Sequence, residues 1–123
     1  MTQTRLAEAS SQELTELYLN YAVKQDHALL HDEITNYNKI YRKIDAIEQE
    51  LRSRSGDQRS VLMPFLSHRN AQVRYNAAGA LLKIAPAQAR QVLQSIIADK
   101  EFPQAGYAAS LLGNLADGRF TPT

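Results

Sequence analysis

His27 and His31 stand four residues apart, with Asp26, Asp32 and Glu33 close by in the chain. On a helix that spacing puts two imidazoles on one face, the arrangement by which a helix can chelate a transition metal. The pair falls where a helix should end, and the sequence fixes no third ligand. The expected reading is two solvent-facing imidazoles, with no metal assigned. His68, beside Arg69 and Asn70, has the chemistry of a general base, but no serine nucleophile is tied to it by a recognisable turn and the chain has no cysteine. The five glycines are scattered, so no loop of the G-x-x-x-x-G-K or G-x-G-x-x-G kind cradles a phosphate. Glu48 and Glu50 are two apart on a helical pattern and point different ways. No catalytic residue, cofactor or metal ligand is therefore assigned.

Arg52, Arg54, Arg59, Arg69 and Arg74 make a basic set that could grip phosphates. Nucleic-acid domains are usually far more basic than a pI of about 8.0, with clustered base-reading side chains. Here acids are interspersed, so nucleic acid is not the expected partner. Arg74 has a plainer use, bridging a carboxylate or capping carbonyls between neighbouring helices.

The elements that must carry these groups are helical. The 123 residues suit one domain with a real core and no disulfide or metal staple. The opening residues lack the apolar stretch of a secretory signal, and no apolar run is long enough for a membrane span. A cytoplasmic location is expected. Charge is uneven: residues 1–38 carry a net −4 and residues 39–74 a net +4. An acidic first helix beside a basic-leaning second one accounts for that.

Ser10 and Glu13 form a capping box opening a first helix to about Leu30, with Leu14, Leu17, Tyr18, Tyr21, Ala22, Ala28 and Leu29 on one stripe. A second helix is expected from about Asp32 to Arg54, with Ile34, Tyr37, Ile40, Tyr41, Ile44, Ile47 and Leu51 as its seam and Gly56 as its stop. The two should form an antiparallel hairpin over residues 10–55. Asp57 caps a short helix containing Pro64, and Asn70 caps the next, which should run to about Ala85 with Pro86 at its limit. A helix with Val92, Leu93, Ile96 and Ile97 inward follows. The last starts at Phe102-Pro103 and stops near Ala116, before Asp117-Gly118. Nothing alternates with period two, so the fold class is all-α with about six helices.

Residues 70–86 align with 101–117 at an offset of 31 residues: Ala77 falls on Ala108, Ala78 on Ala109, Leu81 on Leu112, Ile84 on Leu115 and Ala85 on Ala116. Each copy follows a short helix, which predicts a helix-pair repeat. The stretch 62–86 resembles a HEAT-type repeat: Leu62, Pro64 and Leu66 in its first helix, then Val73-Arg74, Ala77-Ala78 and Leu81 in its second. The period is shorter than the roughly 40 residues of long HEAT repeats and is similar to the short HEAT-like repeats of bacterial proteins, the phycobilisome lyases among them. Over roughly residues 12–117 the chain resembles a small bacterial family of HEAT-like domains of unknown function. That resemblance implies a right-handed α-solenoid-like stack: the hairpin, one repeat over 57–86 and another over 87–118. In the second copy Gln104-Ala105 replaces Val-Arg, so a role attached to Arg74 is not duplicated. In such a stack Ala77, Ala78, Gly79 and Ala80 would allow close backbone approach while Val73, Leu81 and Ile84 fill the gaps.

From Phe102 to Ala116 there is no charged residue, although a terminal repeat normally shows water a polar face. Either Gln104, Ser110 and Asn114 suffice as that face, or the C-terminal tail, a second copy or another protein covers it. Tyr18, Tyr21, Tyr37 and Tyr41 are expected in the core with hydroxyls at its rim, leaving Tyr75 and Tyr107 toward a groove. The expected function is a non-catalytic protein-interaction module, an adaptor or an immunity-type protein. Its partner is another protein, its binding strip is Arg74, Tyr75, Lys83 and Tyr107, and self-association through the last helix is possible. An accessory enzyme like the phycobilisome lyases and a weak nucleic-acid binder are the alternatives.

Overall fold

The computed structural model describes residues 3–123. They form six α-helices and one 3-10 helix, with no strand among the described residues. The chain divides into two compact units, Met1–Leu62 and Met63–Thr123. No helix of the described residues is long and apolar enough to cross a membrane.

The first unit opens with α1 (Gln3–Leu6), a single turn the sequence did not announce, and continues with α2 (Ser11–Leu30). The capping box is present: Ser10 Oγ accepts from the Glu13 backbone N–H and Glu13 Oε1 accepts from the Ser10 N–H, each at 3.0 Å. The helix ends without a glycine. Asp32 takes φ 57° beyond the His31 cap, its N–H bonds to Leu29 O at 3.3 Å, and the Glu33 N–H reaches back to Ala28 O at 2.8 Å. This is the Schellman closure of the last carbonyls, with a short polar residue in the left-handed position usually held by glycine.

Helix α3 (Ile34–Ser53) packs on α2. Its buried seam is Ile40, Ile44, Ile47 and Leu51, against Leu14, Tyr18, Ala22, Gln25 and Ala28 of α2. Two residues assigned to the seam are not in it: Ile34 and Tyr41 are 66% and 58% exposed. Tyr41 follows Ile40 by about 100° of helical rotation, so both cannot face α2. Ile34 sits in the first turn, at the open end of the hairpin.

The 57–68 segment departs from expectation, being a 3-10 helix over Gln58–Ser67 with Pro64 inside. A proline there deprives so short an α-helix of one of its few hydrogen bonds, and the tighter turn takes its place. Asp57 (φ 51°) still caps it, accepting the Arg59 N–H at 3.3 Å.

In the second unit Asn70 caps α4 (Ala71–Leu81), its Oδ1 accepting from Gln72 N at 2.9 Å and Val73 N at 3.2 Å. This helix stops four residues short of expectation. Pro86 opens α5 (Pro86–Ala98) instead of merely ending α4, and it forces Ala85 out of the helical region to φ −140°, ψ 61°. Ile84 is accordingly 37% exposed and fills no gap. In α5, Ala89, Leu93 and Ile96 are buried and Val92 and Ile97 half-buried. A second Schellman closure ends α5, with Lys100 at φ 55°, Lys100 N on Ile97 O at 3.0 Å and Glu101 N on Ile96 O at 3.2 Å. Helix α6 (Gln104–Ala116) begins one residue after Pro103, whose bond to Phe102 is cis. It ends at Asp117-Gly118 as expected, Gly118 having φ 80°.

Val73, Ala77, Ala78 and Leu81 of α4 are fully buried, and Ala105 and Ala108 do the same for α6. Gly79 is a correction. A Cβ built on it meets nothing within 4 Å, so close backbone approach does not explain that glycine. The two neighbouring positions should therefore respond oppositely in thermal unfolding. Gly79→Ala is expected to stabilise by about 1 kcal/mol through helix propensity, whereas Ala78→Leu should cost about 1–3 kcal/mol by overpacking.

Candidate functional site

Within the second unit the polar groups converge around Arg74. The closure at Lys100 reverses the chain so that Glu101 meets the guanidinium in a two-pronged pair, Nη1 to Oε2 at 2.7 Å and Nη2 to Oε1 at 2.6 Å. Arg74 Nε also donates to His68 O at 2.7 Å, and Nη2 reaches Arg69 O at 3.4 Å. Those carbonyls belong to the turn that enters α4. One side chain thus ties the start of α4 to the turn between α5 and α6. The bond from Arg74 holds the Glu101 carboxyl below its ordinary range, and the carboxylate raises the guanidinium in turn. Arg74 therefore fills the bridging role weighed in the sequence, its guanidinium bonded within the fold.

A second tie lies beside it. Gln104 Nε2 donates to Gln72 Oε1 at 3.0 Å, and Gln72 Nε2 donates to Asn76 Oδ1 at 2.8 Å. Gln72 and Gln104 are 1% and 3% exposed, so Gln104 is not part of an outer polar face. Tyr75 and Tyr107, both half-buried, come together with ring centroids 5.9 Å apart and planes tilted by 54°. Of the expected strip the fold therefore joins Tyr75 to Tyr107. Lys83 lies exposed in the turn after α4.

His68 Nδ1 accepts the Asn70 backbone N–H at 3.0 Å, and its ring stands edge-on to Phe65 at 6.4 Å. That nitrogen helps shape the cap of α4 and has no free lone pair for base chemistry.

The first unit carries a titrating cluster that sequence reasoning missed. Tyr18 is fully buried, and its hydroxyl donates to Glu48 Oε2 at 2.8 Å, joining α2 to α3. Burial pushes the Glu48 carboxyl up to about 7; Asp45 adds to the rise, while the Tyr18 bond and the Arg59 charge oppose it. Burial beside that carboxyl also raises the Tyr18 hydroxyl well above its ordinary range. Arg59, 6% exposed, is clasped by Asp57 through Nε at 2.9 Å and Nη2 at 2.7 Å, and the contact lowers the Asp57 carboxyl. Arg54 pins the N-terminal turn, donating to Leu6 O at 3.0 Å, Ala9 O at 2.6 Å and Glu50 Oε2 at 2.9 Å. Of the five arginines considered for phosphate, Arg54, Arg59 and Arg74 are thus engaged within the fold, and Arg52 and Arg69 are exposed. Glu48 was legible only as half of an unpromising carboxylate pair. Its position next to Ile47 and one turn beyond Ile44 was the available signal.

Among the described residues no group of three or more His, Cys, Asp or Glu is placed to hold a metal ion. What stands out chemically is a set of polar side chains closing hydrogen bonds inside an all-helical scaffold. The chain belongs to the family described as Domain of unknown function (DUF2019), which matches residues 12–116. It is similar to the crystal structure of the protein RPA1889 from Rhodopseudomonas palustris CGA009, at 40% identity and a TM-score of 0.93, over 96% of this chain and 98% of that one. Neither likeness points to a catalytic family. Among curated proteins no match is found.

Two outcomes follow. Arg74→Ala leaves Glu101 and two turn carbonyls without their donor and should cost about 1–3 kcal/mol in urea unfolding, with Arg74→Lys recovering only part of it. Glu48 has its folded value raised above its ordinary 4.5, so its contribution is fully present below about 4.5 and is lost as pH rises toward 7. Glu48→Gln should therefore be more stable than wild type by about 1–3 kcal/mol near pH 8 and nearly equal to it near pH 5. Asp57 and Glu101, with lowered values, act the other way and lose their contribution in acid.

Proposed function

We propose that the protein is a non-catalytic protein-interaction module of HEAT-like build, working in the cytoplasm as an adaptor or immunity-type protein. The observation that carries this reading is the outer side of α6. From Phe102 to Ala116 the chain has no charge, and Phe102 (71% exposed), Gly106, Ala109, Ser110, Gly113 and Ala116 all face solvent. Tyr107 is half-buried on the same helix, against Tyr75 of α4. A smooth, uncharged helix face beside an aromatic pair is poor at chemistry and good at close packing, because small residues let another helix approach and aromatics supply area. The C-terminal tail takes up only part of the end of this helix: Phe120 N bonds to Asn114 O at 3.1 Å, yet Phe120 stays 40% exposed.

HEAT-like character is supported by the order of helices in the second unit, with α5 packed on both α4 and α6, and by Ala77 of α4 and Ala108 of α6, equivalent at the 31-residue offset and both fully buried. The partner is another protein or a second copy of the chain, met through α6. Ala109→Glu with Ser110→Lys charges this face at exposed positions and should leave thermal stability within about 0.5 kcal/mol of wild type. Tagged wild-type protein is expected to retain one stoichiometric protein from extracts of the source cells, or to sediment as a dimer, and the doubly charged variant to do neither. Identical behaviour of the two proteins in both assays would refute the reading.

A further inference from the structure

We propose that His27 and His31 form an open site for a borderline transition-metal dication of the zinc, nickel or copper class at the C-terminal end of α2. The proposal goes beyond the interaction role, since it invokes neither α6 nor a protein partner. Spacing alone does not assign an ion to this pair; the ring geometry adds what spacing lacks. The imidazoles lie against each other, centroids 4.0 Å apart and planes within 21°, and both residues are exposed. His31 Nδ1 lies 2.8 Å from the His27 carbonyl oxygen. A carbonyl can only accept, so Nδ1 carries the proton and Nε2 of His31 keeps the lone pair. A protonated nitrogen held by a backbone carbonyl, with the other nitrogen free, is the supporting contact that fixes ligating histidines at metal sites.

The same carbonyl also accepts the His31 backbone N–H at 3.1 Å, so both the position and the tautomer of His31 are set by the cap of α2. Only His27 has to turn about its side-chain bonds for the two nitrogens to converge on one ion. As an exposed residue, it can do so without displacing the core. Imidazole nitrogen suits zinc, nickel and copper and not the oxygen-seeking magnesium or calcium, and binding should strengthen from zinc or nickel to copper. Two protein ligands leave the remaining coordination positions to water, which makes the site open. Its geometry exists only while the last turn of α2 is helical, so occupancy stabilises that turn by mass action.

The test uses the whole chain and the metal salts alone. Nickel chloride should raise the melting temperature of the wild type, perturb the ring resonances of His27 and His31, and leave those of His68 in place. Magnesium chloride should do neither. His27→Ala and His31→Ala should each weaken nickel binding by about tenfold or more, while His68→Gln keeps it. Circular dichroism of the two alanine variants separates loss of the site from loss of the helix. A nickel response equal in wild type, His27→Ala and His31→Ala, or ring resonances unmoved by millimolar nickel, would overturn the proposal.

Discussion

The second unit turns on the requirement that Arg74 find acceptors for its guanidinium where water reaches it poorly. A half-buried arginine without partners would be costly, and the chain answers by bringing Glu101 and the carbonyls of His68 and Arg69 to it. Glu101 is delivered by the Schellman closure of α5, which holds Lys100 in the left-handed region at φ 55°. A non-glycine residue there is strained by about 1 kcal/mol. The two-pronged pair offsets that strain, since charge-assisted bonds of this geometry are among the stronger ones available to a side chain. From the same turn the chain enters α6 one step after Pro103, with Gln104 already facing Gln72.

The first unit solves a similar problem less completely. Tyr18 needs an acceptor for a fully buried hydroxyl, and Glu48 provides one, but a carboxylate drawn in beside apolar neighbours resists ionisation. Arg59 offsets this only in part, its guanidinium being clasped by Asp57. The Tyr18–Glu48 and Arg74–Glu101 ties consequently answer to pH in opposite senses. The hairpin is penalised by ionisation of Glu48, while the Arg74–Glu101 tie depends on ionisation of Glu101.

Local signals carried much of this architecture. The capping box at Ser10 and Glu13, the Asn70 cap, the helical seam through Ile40, Ile44, Ile47 and Leu51, and the stop at Gly118 follow from rules that act over one or two turns, and each stands where the sequence put it. Errors arose where a second constraint overrode the first. Tyr41 is apolar enough for a seam but lies a step of rotation past Ile40. Pro86 dictates the conformation of Ala85, so α4 ends sooner than its apolar pattern suggests. Gly79 looked like a close-contact residue because its neighbours are small, yet nothing approaches it. Asp32 and Lys100 adopt positive φ without being glycine, and no sequence rule singles them out. The polar ties were least legible of all: Gln72 pairs with Gln104, and Tyr18 with Glu48, across distances in the chain that no local pattern encodes.

What the ties accomplish bears on how the molecule can work. With Arg74, Gln72 and Gln104 fixing one side of α4 and α6, and Tyr75 leaning on Tyr107, the outer side of α6 is held in place by groups that need not move when something binds it. Ordering costs on association fall when a surface is set before the partner arrives. That matters most for a face of Gly106, Ala109, Ser110 and Gly113, whose small side chains offer little contact area each and so cannot offset a large ordering cost. A flexible helix of this composition would be a weak binder, whereas one anchored by a buried amide pair and a bidentate ion pair can serve as a rigid template. Under the interaction role proposed above, recognition would rest on fixed shape, with polar groups such as Arg74, Gln72 and Gln104 engaged inside the fold to hold that shape.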